Sequence, residues 1–222
     1  MIKLISEDGI ELSACVAGNP ESSRGGVVVL QEIFGLNSHI RDLPRRFAEA
    51  GYYTVAPAMF DRAEPGVELD YNAQGKDHGI ALKNAVDNHA IIDVSAGISE
   101  AAKAGPVSVV GFCWGGSLAW RAATSLGGLV SAVSYYGGEL PRKSGLVAHC
   151  PFLAHFGSQD TSIPIDDVKA FIKAQANVAP IVETHIYDAD HGFNCDARDQ
   201  YNAAAATEAW QRTLNFLERF SN

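Results

Sequence analysis

The chain has 222 residues, of which 47% are hydrophobic and 19% charged, and its formal net charge at pH 7 is −9. That length and composition suit a single α/β domain over 1–222 and exclude a disordered or fibrous chain. The acidic balance argues against nucleic-acid or anionic-membrane partners, because those polyanions need a basic footprint.

The N-terminus carries no extended apolar stretch behind a basic start, and no run approaches membrane-spanning length, so a cytoplasmic protein is expected. Cys15, Cys113, Cys150 and Cys195 lie far apart without C-x-x-C spacing. This pattern signals neither a zinc site nor a disulfide framework, and the expectation is reduced thiols, no metal and no cofactor.

Residues 2–5 and 10–16 alternate apolar with polar around Asp8-Gly9, which predicts two antiparallel edge strands joined by a tight turn. Residues 27–30 are wholly apolar and predict a central strand buried on both faces. Asp42 is placed to cap the next helix, with Pro44 in its first turn and Gly51 at its end. A short strand over 53–56 stops at Pro57. Residues 61–76, with two glycines and a proline, read as a loop bordering a pocket. One or two helices are expected over 80–104.

The run 107–110 is apolar, three of its four residues valine, and is followed by Gly111-Phe-Cys-Trp-Gly-Gly116. It predicts a buried strand that turns abruptly into a helix with Cys113 at the apex. The spacing G-x-C-x-G is that of a nucleophile elbow with cysteine in place of serine. Gly111 and Gly115 flank the apex because side chains there would collide as the backbone doubles back. The helix that follows directs its positive end at Cys113, which favours a thiolate.

Further strands are expected over 131–136, 152–156 and 182–187, a loop through 137–145, and helices over 166–176 and 203–220, the last with Trp210, Leu214 and Leu217 facing the core. Alternating strands and helices predict a mainly parallel sheet of about eight strands, covered by helices on both faces. A nucleophile at Cys113 requires a base and an orienting acid on loops after later strands. Asp160 and His191 hold those positions, in the chain order nucleophile, acid, base. His155 and His185 fall inside apolar strands and are not free to reach an elbow.

The segments Gln31-Glu-Ile-Phe-Gly35, Gly111-Phe-Cys-Trp-Gly-Gly116, Tyr135-Tyr-Gly-Gly138, Gly157-Ser-Gln-Asp-Thr-Ser-Ile-Pro164 and His191-Gly-Phe193 together resemble the dienelactone hydrolase family of α/β-hydrolases. The resemblance spans nearly the whole chain. It implies the α/β-hydrolase fold, a Cys113, His191, Asp160 triad and a catalytic glutamate at Glu32. It also implies oxyanion donors at the backbone N–H groups of Ile33 and Trp114, and pocket-lining roles for Phe34 and Tyr136. The implied reaction is hydrolysis of a small ester or lactone through a thioester, by a monomer or small homo-oligomer. A thiol redox protein using Cys113, or a binding module without catalysis, are the alternatives on the same fold.

Two arginines that the resemblance implies for an anionic lactone are missing. Cys195 stands four residues after His191, where one is expected, and 64–88 contains no arginine, Lys76 being the nearby cation. Arg62 and Arg198 are the candidates to replace them, and without such a pair neutral esters or lactones are the expected substrates.

Overall fold

The structure is a computed structural model that describes residues 1–221. Among these are eight strands, seven α-helices and one short 3-10 turn, in two compact units that divide between Val109 and Val110.

In the first unit, β1 (Ile2–Ile5) and β2 (Glu11–Ala17) pair antiparallel from Ile2↔Ala14 to Ile5↔Glu11. Gly9 supplies the left-handed turn between them at φ 85, a conformation that glycine adopts without steric cost. β2 then pairs antiparallel with β4 (Tyr53–Pro57), and β4 lies parallel to β3 (Gly26–Leu30). Every residue of β3 and β4 is buried, as a run apolar on both faces requires.

The helices of this unit are α1 (Ser38–Glu49), α2 (Ala73–Val86) and α3 (Ala90–Ala101). The cap of α1 corrects the sequence reading. Asn37, rather than Asp42, accepts the Ile40 N–H at 3.2 Å. Asp42 and Pro44 therefore fall inside the helix, where Asp42 holds Arg45 and Pro44 is buried beside Leu43 and Phe47. The loop expected to run to Lys76 stops earlier, because Asn72 caps α2 by accepting the Gly75 N–H at 2.8 Å. Gly75 permits this turn: a Cβ there would lie 2.1 Å from the Asp70 carbonyl oxygen.

β5 (Val107–Phe112), buried throughout, carries the chain across the division. In the second unit β6 (Leu129–Tyr135), β7 (Phe152–Gly157) and β8 (Val182–Tyr187) run parallel in that order. Its helices are α4 (Trp114–Ser125), the short α5 (Glu139–Arg142), α6 (Ile165–Gln175) and α7 (Ala203–Phe220). The core is aromatic: Trp120 of α4 meets Phe152 and Phe171 edge-on, with ring centroids 4.9 and 5.5 Å apart.

Two local readings change here. α5 interrupts the loop expected over 137–145, its Glu139 drawn to Arg121 and Lys143. On α7 the buried face is Ala205, Ala209, Thr213, Phe216 and Leu217, while Trp210 and Leu214 sit half-buried at its margin. Small residues at Ala205 and Ala209 let the first half of the helix approach closely, which leaves Trp210 at the margin of the seam. Among the described residues no helix is long and apolar enough to cross a membrane.

Candidate active site

Cys113 has φ 53 and ψ −112, a backbone conformation that costs a non-glycine residue about 1–3 kcal/mol. Its surroundings impose it. The Cys113 N–H donates to the Tyr135 carbonyl at 2.9 Å, and its own carbonyl accepts the Ser117 N–H of α4 at 3.1 Å. A Cβ on Gly111 would stand 1.9 Å from the Gly115 carbonyl oxygen. One on Gly116 would stand 2.7 Å from the Tyr135 carbonyl oxygen. Gly111 and Gly116 are therefore steric requirements of the turn, and the turn lifts the thiol clear of the strand at the positive end of α4.

The loops after β7 and β8 are locked together. Ser158 and Gln159 donate backbone N–H bonds to the carbonyls of Tyr187 and Ala189 at 2.8 and 3.0 Å. Gly157 allows the approach, since a Cβ there would lie 2.2 Å from the Ala189 carbonyl oxygen. This contact sets Asp160 against His191. Asp160 Oδ1 accepts the Ser162 and Ile163 N–H groups at 2.8 and 3.2 Å, while Oδ2 faces His191 Nδ1 at 2.7 Å. One carboxylate thus acts both as the turn cap and as the partner of the ring.

The other ring nitrogen, His191 Nε2, lies 3.1 Å from Cys113 Sγ. Asp160 fixes the proton on Nδ1 and leaves Nε2 to exchange one with sulfur. Burial disfavours the imidazolium, but a charge on Cys113 and the hydrogen bond to Asp160 outweigh it and push His191 up to about 10. The arrangement can therefore hold a thiolate–imidazolium pair.

Tyr136 has its own left-handed backbone, at φ 41, and its ring centroid lies 5.1 Å from that of His191. Trp114 is the first residue of α4, which puts its N–H at the helix's positive end. Glu32, Ile33 and Phe34 belong to the first unit. There Glu32 is fully buried and accepts a hydrogen bond from the Tyr71 hydroxyl at 3.2 Å. Phe34 packs on the Tyr71 ring at 4.6 Å, and Gly79 of α2 comes so close to Ile33 that a Cβ would lie 1.9 Å from its carbonyl oxygen. Tyr71 escaped the sequence reading, which identified its segment only as a loop beside a pocket.

His155 is indeed confined. It is fully buried, with Tyr187 and Thr213 bonded to its two nitrogens. Of the candidate cations, Arg62 is held by Asp8 and Asp93, and Lys76 is exposed on α2. Cys195 is buried completely. Arg198 packs against the residue after the histidine: a Cβ on Gly192 would lie 2.5 Å from its Nη1.

Residues 12–221 match the sequence model of the dienelactone hydrolase family. A Synechocystis sp. protein assigned as a carboxymethylenebutenolidase is 38% identical over 209 residues, covering 86% of this chain and 85% of its own. The carboxymethylenebutenolidase of Pseudomonas putida is 32% identical over 225 residues, covering 97% and 94%. A solved Klebsiella pneumoniae protein, assigned to the dienelactone hydrolases, superposes with a TM-score of 0.82 at 29% identity over 99% of both chains.

Proposed function

This chain belongs to the dienelactone hydrolase family, whose members hydrolyse esters and lactones, and we propose that it cleaves small ones through a thioester on Cys113. The observation that carries this reading is the unbroken hydrogen-bonded path from Asp160 through His191 to Cys113. His191 takes the thiol proton, so that Cys113 carries the negative charge as it attacks. Sγ attacks the substrate carbonyl, forming the C–S bond and a tetrahedral oxyanion. The Trp114 N–H, at the head of α4, is its first donor. As the oxyanion collapses the C–O bond breaks, and His191 gives its proton to the departing alkoxide. His191 then takes a proton from water, which attacks the thioester and returns the acid product and the thiolate.

Asp160 keeps the ring in the productive tautomer and stabilises its charge. The family roles of Ile33 as second oxyanion donor, Glu32 as catalytic carboxylate, and Phe34 and Tyr136 as pocket residues form part of the same proposal. A cytoplasmic setting suits it, because thiols there stay reduced. The test is turnover of p-nitrophenyl acetate. Cys113→Ala and His191→Ala should each lower it by about two orders of magnitude or more. Full activity in Cys113→Ala would rule out the thioester route.

A further inference from the structure

Behind the reactive pair, in the second unit, runs a buried chain of polar side chains that the proposed chemistry leaves unused. Tyr135 Oη lies 2.6 Å from Thr213 Oγ1, which lies 3.0 Å from His155 Nε2. His155 Nδ1 lies 2.9 Å from Tyr187 Oη, which accepts from Arg212 Nη1 at 3.1 Å. Tyr135, His155 and Thr213 are completely buried, so each of these bonds would be expensive to lose.

Arg212 can only donate, so the Tyr187 hydroxyl accepts from it and keeps its own hydrogen available to His155 Nδ1. A neutral His155 donates through one nitrogen and accepts through the other, so both of its side-chain bonds can be made at once. Burial, with His185 and Arg212 nearby, holds His155 well below its ordinary value, so the ring is neutral and its two nitrogens keep these distinct roles. Glu183 of β8 and Glu208 of α7 act on this corner through His185 and Arg212.

The end of the chain reaches the support of both reactive residues. The carbonyl of the peptide joining Tyr135 to Tyr136 accepts the Cys113 N–H at 2.9 Å, and the N–H of that same peptide donates to the His155 carbonyl at 2.8 Å. The Tyr135 ring stacks on Phe112, the residue before the thiol, with centroids 4.6 Å apart. The Tyr136 ring leans on His191. His155 therefore grips this one peptide twice, by its own carbonyl and by its side chain acting through Thr213 on Tyr135.

We propose that His155 and Thr213 are positioning residues, a buried clamp that fixes the Tyr135–Tyr136 peptide and thereby aligns Cys113 with His191. The inference rests on the reading of Cys113 as nucleophile. Two strained residues, Cys113 and Tyr136, meet at this peptide, and strain persists only where the surroundings over-determine it. Releasing one anchor lets the peptide turn, and small misplacements of reacting groups are costly in rate.

The test uses Thr213→Val, which keeps the side-chain shape and removes the bridging hydroxyl, and Thr213→Ser, which keeps the hydroxyl. The first readout needs no substrate: the rate at which iodoacetamide alkylates Cys113, followed by peptide mass. The second is kcat and KM for p-nitrophenyl acetate, on protein shown to be folded by near-ultraviolet circular dichroism. Thr213→Val should lower the alkylation rate and kcat by about tenfold with KM little changed, and Thr213→Ser should restore both. A merely structural role would lower the melting temperature and leave the alkylation rate of the folded protein where it was. Wild-type rates in Thr213→Val, or a Thr213→Ser variant as slow as the valine, would overturn the clamp. If Thr213→Val does not fold, Tyr135→Phe decides by the same readouts: slowed rates support the clamp and wild-type rates overturn it. Failure of the nucleophile reading is distinguishable, because alkylated wild-type protein would then still turn over ester.

Discussion

A Cβ on Gly111 would stand 1.9 Å from the Gly115 carbonyl oxygen, a backbone atom that has no flexible end to yield. Gly111→Ala therefore forces the strand away from the start of α4. The expected cost is about 1–3 kcal/mol of stability, with turnover lost as the Cys113 thiol moves off His191. Denaturant unfolding and ester turnover measure the two effects. An alanine variant of wild-type stability and activity would show that the turn has room the geometry denies it.

His191 owes its position near 10 to Cys113 and Asp160 acting against burial. In Cys113→Ala the sulfur charge is gone, so the ring should titrate lower, which its carbon-bound proton resonances report as pH is varied. The sign for stability follows. A raised value means the folded protein holds the proton more tightly, a contribution whole below the ordinary value of 6.5 and lost as pH rises through about 10. The stability advantage of wild type over Cys113→Ala should thus shrink as pH is raised across that window. An unshifted His191 in the variant would remove Cys113 as the cause.

Glu139 behaves in the opposite sense. Burial raises it, but hydrogen bonds from Arg121 and Lys143 prevail and lower it from 4.5 to about 2. A depressed carboxylate stabilises the fold above its unfolded value and loses that stabilisation as pH falls from 4.5 toward about 2. Glu139→Gln should cost about 1–2 kcal/mol at neutral pH, the free energy of such a shift reduced by solvent screening of a partly exposed pair, and the difference from wild type should close in acid. Parallel unfolding curves at neutral and acid pH check this. A cost that does not change with pH would mean that packing, and not charge, holds Glu139.

Much of this could be read from the sequence because the determinants are local. The elbow is carried by Gly111, Cys113 and Gly115 within five residues, and β8 and α7 begin and end where the pattern predicts. Asp160 and His191 stand out in the sequence by their order on loops after β7 and β8, strands that the parallel topology makes adjacent. The cap of α1 was misread because Asn37 and Asp42 are equally able acceptors, and only the fold shows which one meets a free N–H. Thr213 gave no signal at all: its partners, Tyr135 and His155, are 78 and 58 residues away, and a threonine in a helix most often means nothing. Trp210 looked more like a core residue than Ala209 because hydrophobicity is legible in sequence and closeness of approach is not.

Substrate charge follows from the arginines. Cys195 stands where one arginine of an anion-binding pocket is expected, 64–88 holds no arginine for the other, and Arg62, a candidate replacement, is committed to Asp8 and Asp93. Each absent charge-assisted contact forgoes roughly 1.5–3 kcal/mol, and a neutral lactone should exceed its carboxylate-bearing analogue in kcat/KM by about tenfold or more. Efficient use of the anion would contradict this. Loss of that use in Arg198→Gln would then identify the guanidinium beside Gly192 as the group that binds it.

The central claim is that the acyl group passes through Cys113. It is tested most directly by quenching the protein in acid during turnover of p-nitrophenyl acetate and mapping the added mass by peptide sequencing. The account predicts one acetyl group on Cys113, accumulating in His191→Ala when that variant is acylated by a more reactive ester, and absent from Cys113→Ala. An acetyl group on another residue, or turnover by Cys113→Ala at the wild-type rate, would contradict it.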